Sequence, residues 1–240
     1  MVSQWVGWYL IMLLVALAAA PLAMRLFRGL PVQGLLLARP LGILLTGYLL
    51  WLGFALGLLS NDSGGAWVAL LVVAGVSLYF GRNEFADLRA MPWKQRDWRT
   101  LLLGEALFLV AFALWATVRA YDPAARHTEQ PMDLMFMNSL WSSQLFPPQD
   151  AWLSGYPISY YYFGYWLLIT MGRLAGTLPE VTYNLGQAAW YGMLLSLTFG
   201  LAVMLLRLPF GKARAQLGHG AAWLGGLLAA LMVGVTTNIQ

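Results

Sequence analysis

Two acids four residues apart begin the most polar stretch of an otherwise apolar chain. On a helix, Glu129 and Asp133 share one face, where their carboxylates lie close together and repel each other. Neighbouring carboxylates raise each other's affinity for protons, so this spacing suits a divalent metal ion or a general base that deprotonates a substrate hydroxyl. The alternative is a pair of solvated acids in a first helical turn, where the helix dipole favours negative charge. The spacing alone leaves both alternatives open.

A third carboxylate and a run of aromatic hydroxyls follow the acid pair. Asp150 comes after Pro147-Pro148-Gln149, in a rigid turn that holds its carboxylate near the same surface; a simple turn aspartate is the alternative. Three consecutive tyrosines, Tyr160, Tyr161 and Tyr162, point about 100° apart on a helix. At least one hydroxyl must therefore turn into the protein and find a partner. The run is typical of an aromatic belt at a membrane interface, and its rings and hydroxyls also suit a sugar.

The composition places these residues in a membrane protein. Hydrophobic residues make up 60% of the chain and charged residues 10%, against about a quarter charged in soluble domains. A bilayer core of about 30 Å needs roughly 20 apolar helical residues. Seven apolar runs are therefore predicted to span it: 4–24, 41–59, 65–81, 100–118, 157–176, 184–206 and 220–236. We expect an all-α, polytopic protein of the cell membrane, whose first run is a retained span rather than a signal peptide because it lacks a basic start and a cleavage pattern.

The residue inventory excludes several classes of function. The chain has no cysteine, so disulfides and thiolate metal sites are impossible. The net charge of +4 comes from short loops beside the spans and forms no basic stripe, so membrane lipids rather than nucleic acids are the expected partners. No protein partner is implied. Because the chain stops directly after an apolar run, we expect it to be the N-terminal part of something longer.

The basic residues predict the orientation. Segments 25–40 and 82–99 hold eight of the 14 basic residues, so the positive-inside rule places both in the cytoplasm and loop 119–156 outside. Within this outer loop, Thr128 is predicted to cap a helix that begins near Pro131. Apolar and polar residues recur there at helical spacing for about four turns. This amphipathic helix is expected to lie in the membrane interface rather than to cross the bilayer.

One segment contradicts this orientation. With seven crossings, 207–219 also falls outside, although it carries Arg207, Lys212 and Arg214. Either the topology is wrong locally, for example because segment 157–176 is re-entrant, or the three cations act outside, for example by holding a lipid phosphate.

Glu105 is an acid inside the fourth predicted span. Acids at membrane depth are costly and are therefore candidates for functional groups. This one is also close enough to the cytoplasmic end, beside Arg99, to reach the interface or an ion pair, so a structural role is the alternative.

The outer loop and the segment after it resemble a known family. The resemblance is carried by Thr128-Glu129-Gln130-Pro131-Met132-Asp133, by Phe146-Pro147-Pro148 with Asp150, Trp152, Leu153 and Gly155, and by Tyr160-Tyr161-Tyr162-Phe163-Gly164-Tyr165. In this order the residues are similar to the YYY membrane-protein family (DUF2298), an uncharacterised group of large multi-span proteins. That family usually has a lysine or arginine where Gln130 stands.

The YYY family is in turn similar to the GT-C glycosyltransferases, which use polyprenyl-phosphate sugar donors. In those enzymes a span leads to an outer loop with a catalytic acid, and juxtamembrane helices follow. The resemblance implies a GT-C-like fold in which residues 1–99 form an N-terminal three-helix membrane region and residues 100–240 form the GT-C-like module. This is an argument by fold analogy.

The resemblance implies a transferase that acts at the outer face of the membrane. Asp133 is then the expected general base, Glu129 assists it or binds a divalent metal ion with it, and Arg119 and Arg126 neutralise the departing phosphate. Asp150, Tyr160, Tyr161 and Tyr162 are expected to shape the acceptor or sugar pocket. The alternative is a transporter or lipid-handling protein with Glu105 and the outer-loop acids in an ion or substrate pathway. A structural scaffold is a third possibility.

Overall fold

The computed structural model describes residues 2–90, 97–208 and 218–236, and these ranges are built from helices. Eight α-helices and one 3-10 helix follow one another: α1 Val2–Leu26, the 3-10 helix Pro31–Leu37, α2 Ala38–Ala55, α3 Ser63–Ala90, α4 Trp98–Tyr121, α5 Gln130–Ser142, α6 Phe163–Ala175, α7 Pro179–Arg207 and α8 His219–Gly234. Over the described ranges the expected all-α, multi-span class is confirmed.

The expected count of about seven spans is not confirmed. Among the described residues, five helices are long and apolar enough to cross a membrane: α1, the segment Gly34–Ala55, α3, α4 and α7. Helix α8, with 16 residues, is shorter. Helix α6 has 13 residues and measures about 20 Å, which is less than the hydrocarbon core of about 30 Å.

Helix α6 is short because the chain limits it at both ends. The residues before it belong to the outer loop, where the N–H of Ile158 donates to the carbonyl of Pro148. After it, Gly176 adopts a left-handed conformation with φ 65°, which a glycine accepts without a steric cost and which commonly ends a helix. Pro179 then begins α7. The expected span 157–176 is therefore replaced by a loop and a short helix.

Helices α4 and α7 are antiparallel, and this determines the topology. At one end of the pair, Arg207 of α7 forms an ion pair with Asp97, which caps α4. At the other end, the Nε of Arg119 donates to Oδ1 of Asn184 over 2.8 Å. Helix α7 therefore begins at the side where α4 ends. The whole segment 122–178, including α6, enters and leaves on that outer side without completing a crossing.

The same topology removes the conflict in the charge distribution. Leu36, between α1 and α2, packs against Gly104 and Gly200, so segment 25–40 lies at the end of the bundle where α7 ends. Arg207 is thus on the same side as that basic segment, in agreement with the positive-inside rule. Of the two alternatives for segment 207–219, this arrangement favours the local topology error, with segment 157–176 re-entrant, over cations that act outside. Lys212 and Arg214 lie outside the described residues.

The helices pack in two groups joined through α6. Helix α1 packs against α2 and α3, while α7 packs against α4 and α8. Helix α6 contacts α1, α2, α3, α5 and α7, and one buried apolar cluster runs from Trp8 of α1 to Met193 of α7. The division into regions 1–99 and 100–240 stays a prediction.

Polar contacts hold α6 in this central position. The indole Nε1 of Trp166 donates to the carbonyl of Gly47 over 2.9 Å. Nη2 of Arg173 donates to Oδ1 of Asn61 and to the carbonyl of Trp141, both over 3.0 Å. Hydrogen bonds made by buried polar groups restrict how their neighbours can be arranged. These contacts therefore set the position of Tyr165, which α6 carries.

Candidate functional site

Asp133 is held by two tyrosines from different helices. It lies in the first turn of α5, where its Oδ1 accepts a 2.5 Å hydrogen bond from the hydroxyl of Tyr165 on α6. Its Oδ2 lies 3.4 Å from the hydroxyl of Tyr183 on α7. The carboxylate is therefore oriented by donors that approach from two sides.

The helix that carries Asp133 begins as expected but is capped differently. Helix α5 starts at Gln130, one residue from the predicted start near Pro131. Glu129 occupies the cap position and no side chain caps the helix. Thr128 has a φ of 43°, so its predicted capping role was wrong: the backbone turns there one residue before the cap position. Phe136, Met137 and Leu140 are buried whereas Pro131, Asn138 and Ser142 are exposed, so α5 packs one face against the protein; its position in the membrane interface stays a prediction.

A cavity of about 660 Å³ opens beside Asp133. Its lining combines amides, hydroxyls and aromatic rings: Gln130, Asp133, Tyr161, Phe163, Gly164, Tyr165, Leu168, Tyr183, Gln187 and Trp190. The Oε1 of Gln130 is buried and accepts no hydrogen bond. A concave site with apolar walls and a few convergent polar groups is the usual form of a small-molecule site.

Burial, hydrogen bonds and nearby negative charges raise the pKa values of two tyrosines close to Asp133. Burial and then the hydrogen bond to Asp133 raise the pKa of Tyr165 above its usual value of 10.0. The hydrogen bond between the hydroxyls of Tyr160 and Tyr161 is the main cause that raises the pKa of Tyr160 to about 12, with smaller contributions from burial and from the negative charges of Glu129 and Asp133. Glu129 and Asp133 therefore both raise the pKa of Tyr160.

No third metal-ligating side chain of the described residues joins the acid pair. Within 2–90, 97–208 and 218–236, no group of three or more His, Cys, Asp or Glu side chains comes together. Glu129 is exposed, and the oxygens of Asp133 face the hydroxyls of Tyr165 and Tyr183. Because Mg²⁺ is commonly bound through one or two carboxylates, with water and substrate completing its shell, a metal ion at Glu129 and Asp133 stays a prediction.

The three consecutive tyrosines precede α6 and point in different directions. The ring of Tyr160 stacks on Phe136 with centroids 5.2 Å apart, and its hydroxyl donates to that of Tyr161. The hydroxyl of Tyr162 accepts a 2.9 Å hydrogen bond from Nε1 of Trp51. The prediction that at least one hydroxyl turns inward is confirmed. Tyr161 is 75% exposed and lines the cavity beside Asp133.

Asp150 stabilises its own loop. Its Oδ1 accepts hydrogen bonds from the backbone N–H groups of Trp152, over 2.7 Å, and Leu153, over 3.0 Å. This geometry is that of an aspartate that stabilises a turn. Asp150 is not among the residues that line the cavity beside Asp133.

The two arginines considered for phosphate binding lie elsewhere. Arg126 is exposed and pairs with Asp122 over 3.3 Å. Arg119 is buried and lines a second cavity, of about 230 Å³, with residues that include Trp5, Glu180 and Asn184. Neither arginine lines the cavity beside Asp133.

Glu105 forms an ion pair inside the bundle. Both of its carboxylate oxygens accept hydrogen bonds from Nη2 of Arg39, over 2.8 and 2.9 Å. The guanidinium carbon of Arg39 lies 3.7 Å from the ring centroid of Phe108. The acid therefore has the pairing role that was one of its two alternatives, with Arg39 rather than Arg99 as its partner.

Comparison with known proteins decides the family. The family model described as "Uncharacterized membrane protein (DUF2298)" matches residues 45–240. The chain belongs to the DUF2298 family. No curated protein and no solved structure matches it. All ten residues that line the cavity beside Asp133 lie within the DUF2298 match, which makes this cavity a feature of the family's region of the chain.

Sequence analysis of this DUF2298 member missed the residues on α7. Tyr183, Gln187 and Trp190 line the cavity and are spaced i, i+4 and i+7, which puts them on one helix face. This polar and aromatic face in an otherwise apolar helix was a usable signal. Tyr165 was recognised only as part of the family motif, since its hydrogen bond to Asp133 joins residues 32 positions apart.

Proposed function

We propose that this chain carries the acceptor site of a GT-C-like glycosyltransferase at the outer face of the membrane. Such an enzyme takes a sugar from a polyprenyl-phosphate carrier and passes it to an acceptor hydroxyl or amide. The observation that carries the proposal is the carboxylate of Asp133, oriented by Tyr165 and Tyr183 at the wall of an open cavity of about 660 Å³.

The lining of the cavity supports a sugar as the ligand. The aromatic rings of Tyr161, Phe163 and Trp190 suit the apolar faces of a pyranose, and the amides of Gln130 and Gln187 suit its hydroxyls. Because the Oε1 of Gln130 is buried without a donor, a ligand hydroxyl can donate a hydrogen bond to it without breaking a hydrogen bond within the protein.

For a hydroxyl acceptor, Asp133 is the general base in the proposed reaction. The acceptor O–H donates to Oδ2, where the contact with Tyr183 is long at 3.4 Å. As the acceptor oxygen attacks the anomeric carbon of the sugar, its proton passes to Oδ2. The bond between the anomeric carbon and the phosphate oxygen breaks, and the phosphate leaves with the electron pair. The short hydrogen bond from Tyr165 holds Oδ1 and fixes the direction of Oδ2 throughout.

The remaining candidates have more limited roles in this proposal. Glu129 is exposed beside the tyrosines, where it assists by keeping the local field negative. Tyr160 and Tyr162 support the wall that Tyr161 completes, and Asp150 stabilises the adjoining turn. Arg119 and Arg126 receive no step, because neither lines the cavity.

The alternative of a transporter has less support. An ion pathway needs ionisable groups that are free to exchange their partners at membrane depth, whereas Glu105 is bound through both oxygens to Arg39. The variant Glu105→Gln separates the two functions, since it leaves the outer cavity unchanged.

The test is transfer of radiolabelled sugar from polyprenyl-phosphate donors in membranes that contain the full-length protein. We expect Asp133→Asn to lower the transfer rate by roughly 10² to 10⁴-fold, the usual contribution of a general base. Asp122→Asn is the matched control, because Asp122 is another outer acid that pairs with Arg126 and His127 and lines no part of this cavity.

Three outcomes would be informative. Loss with Asp133→Asn alone supports the transferase. Transfer by wild type that survives Asp133→Asn refutes the assigned base. Absence of transfer with every donor, together with loss of ion or lipid movement in Glu105→Gln, refutes the enzyme and favours the transporter.

A further inference from the structure

The structure contains a buried cation whose charge is not compensated. Arg119, in the last turn of α4, is 8% exposed. Its Nε donates to Oδ1 of Asn184 over 2.8 Å, and its Nη2 is buried without any hydrogen-bond partner. An arginine side chain is always charged in a protein. Burying that charge against one neutral amide is costly unless an anion completes the site.

The acids nearby leave this charge largely unpaired. Asp122 is close enough for Arg119 to lower its pKa, but hydrogen bonding from His127 is the main cause of that shift and Arg126 also contributes. The carboxylate of Asp122 already accepts hydrogen bonds from both of those side chains. Glu180 lines the same cavity as Arg119 and is exposed. The ion pairs of the described residues include neither Glu180 nor Arg119, so no carboxylate in that part of the chain pairs with the guanidinium of Arg119.

Arg119 lines a cavity of about 230 Å³ formed by the outer ends of three spans. Trp5 comes from the first turns of α1, Ala116 and Ala120 from the end of α4, and Val181 and Leu185 from the start of α7. Six of its ten lining residues are apolar, Arg119 is the buried cation, and the other three are Gln4, Glu180 and Asn184. The cavity is too small for a whole lipid, but its volume of about 230 Å³ is large enough for a phosphate and the first atoms of an attached chain.

This cavity is separate from the one beside Asp133. The two share no lining residue. Tyr183 lines one and Asn184 lines the other, and consecutive residues on a helix point about 100° apart. The start of α7 therefore lies between the two cavities, so a ligand at Arg119 does not occupy the cavity beside Asp133.

We propose that Arg119 binds the phosphate of an anionic phospholipid, one with a net negative charge, in the outer leaflet. The position of Arg119 along the helices supports this ligand. Arg119 lies in the last turn of one span and Glu180 in the first turn of another, and the ends of spans lie at the level of the lipid headgroups. On the same turns, Val6 and Val118 are 51% and 48% exposed and provide an apolar surface for the hydrocarbon chain. Guanidinium groups bind phosphates through charge-assisted hydrogen bonds. The inference is independent of the transferase function.

The experiment measures lipid binding by the purified full-length protein in detergent. Phosphatidylglycerol, phosphatidylcholine or inorganic phosphate is titrated, and the shift of the unfolding temperature gives an apparent Kd. We expect phosphatidylglycerol to stabilise the wild type and Arg126→Gln, the matched control for an outer arginine. Arg119→Gln should weaken this binding by at least tenfold, because it removes a charged hydrogen-bond donor.

A second variant keeps the test valid if Arg119→Gln does not fold. Removing the negative charge at the rim with Glu180→Gln should tighten binding of phosphatidylglycerol by roughly two- to fivefold, as expected for a partly exposed charge. Unchanged affinity in Glu180→Gln, or equal stabilisation by phosphatidylcholine, would overturn the proposal. Equal stabilisation by inorganic phosphate would assign the site to a free anion and reject the lipid.

Discussion

The hydroxyl of Tyr165 lies 2.5 Å from Oδ1 of Asp133 and donates a hydrogen bond to it. Tyr165 is on α6 and Asp133 on α5, so the contact joins the short central helix to the acid of the outer loop. Since Trp166 and Arg173 hold α6 in place, the orientation of the carboxylate is set by the packing of the whole bundle.

We expect Tyr165→Phe to reduce sugar transfer more than Tyr183→Phe does. The hydrogen bond from Tyr165 is short, whereas the contact of Tyr183 with Oδ2 is 3.4 Å. Loss of a hydrogen bond to a charged group costs about 1.5–3 kcal/mol, so Tyr165→Phe should lower kcat/KM by roughly tenfold or more. The measurement is donor-dependent transfer by the two variants at equal expression. An equal or larger loss in Tyr183→Phe would assign the positioning role to α7.

The same contact predicts a pH dependence. Burial and Asp133 raise the pKa of Tyr165 above 10.0, so the folded protein binds this proton more tightly than the unfolded chain does. The stability that this contributes is fully present below about pH 10 and is lost as the pH rises through the higher folded pKa. Alkaline difference absorbance between wild type and Tyr165→Phe measures this ionisation. In an Asp133→Asn background the ionisation should move to lower pH; no movement would contradict the contact.

The topology predicts which loops are labelled from outside. Because the chain contains no cysteine, single cysteines report without background. Ser154 and Gly218 are both exposed, and the antiparallel packing of α4 and α7 puts them on opposite sides. We expect an impermeant maleimide to label Ser154→Cys in intact cells and Gly218→Cys only after permeabilisation. Labelling of both cysteines in intact cells would show that segment 157–176 crosses the membrane.

The ion pair between Arg39 and Glu105 should matter for stability. The side chain of Arg39 is 8% exposed, and breaking a buried pair from one side costs about 3 kcal/mol because a charge stays unpaired. We expect Arg39→Met to lower the unfolding temperature in detergent clearly. The double variant Arg39→Met/Glu105→Met should be less destabilised than Arg39→Met alone. Additive losses would mean that the two charges do not interact.

Close packing between α1 and α3 provides a matched pair of substitutions. A Cβ on Gly81 would clash with the backbone carbonyl of Pro21, whereas a Cβ on Gly75 meets nothing within 4 Å. We expect Gly81→Ala to destabilise the protein by about 1–3 kcal/mol, since a backbone atom cannot move aside easily. Gly75→Ala should be neutral or stabilising by about 0.5–1 kcal/mol. Thermal unfolding of the two variants compares them directly.

Local sequence patterns determined much of this protein. Hydropathy alone predicted the membrane class, and residue spacing predicted a helix from near Pro131 that carries Asp133, because both depend on neighbours within a few turns. The motif around Tyr160, Tyr161 and Tyr162 indicated the family that the match over residues 45–240 then established. These features follow from short-range chemistry of the chain.

Only the tertiary structure decided the site and the topology. Tyr165 and Tyr183 reach Asp133 across 32 and 50 residues of chain, and Glu105 pairs across 66 residues with Arg39 rather than with the nearby Arg99. Hydropathy also could not distinguish a buried helix from a span in segment 157–176, because a segment surrounded by protein is as apolar as one surrounded by lipid. Contacts between distant residues depend on how whole helices pack, and the spacing of residues along one helix shows which face packs but not which helix it packs against.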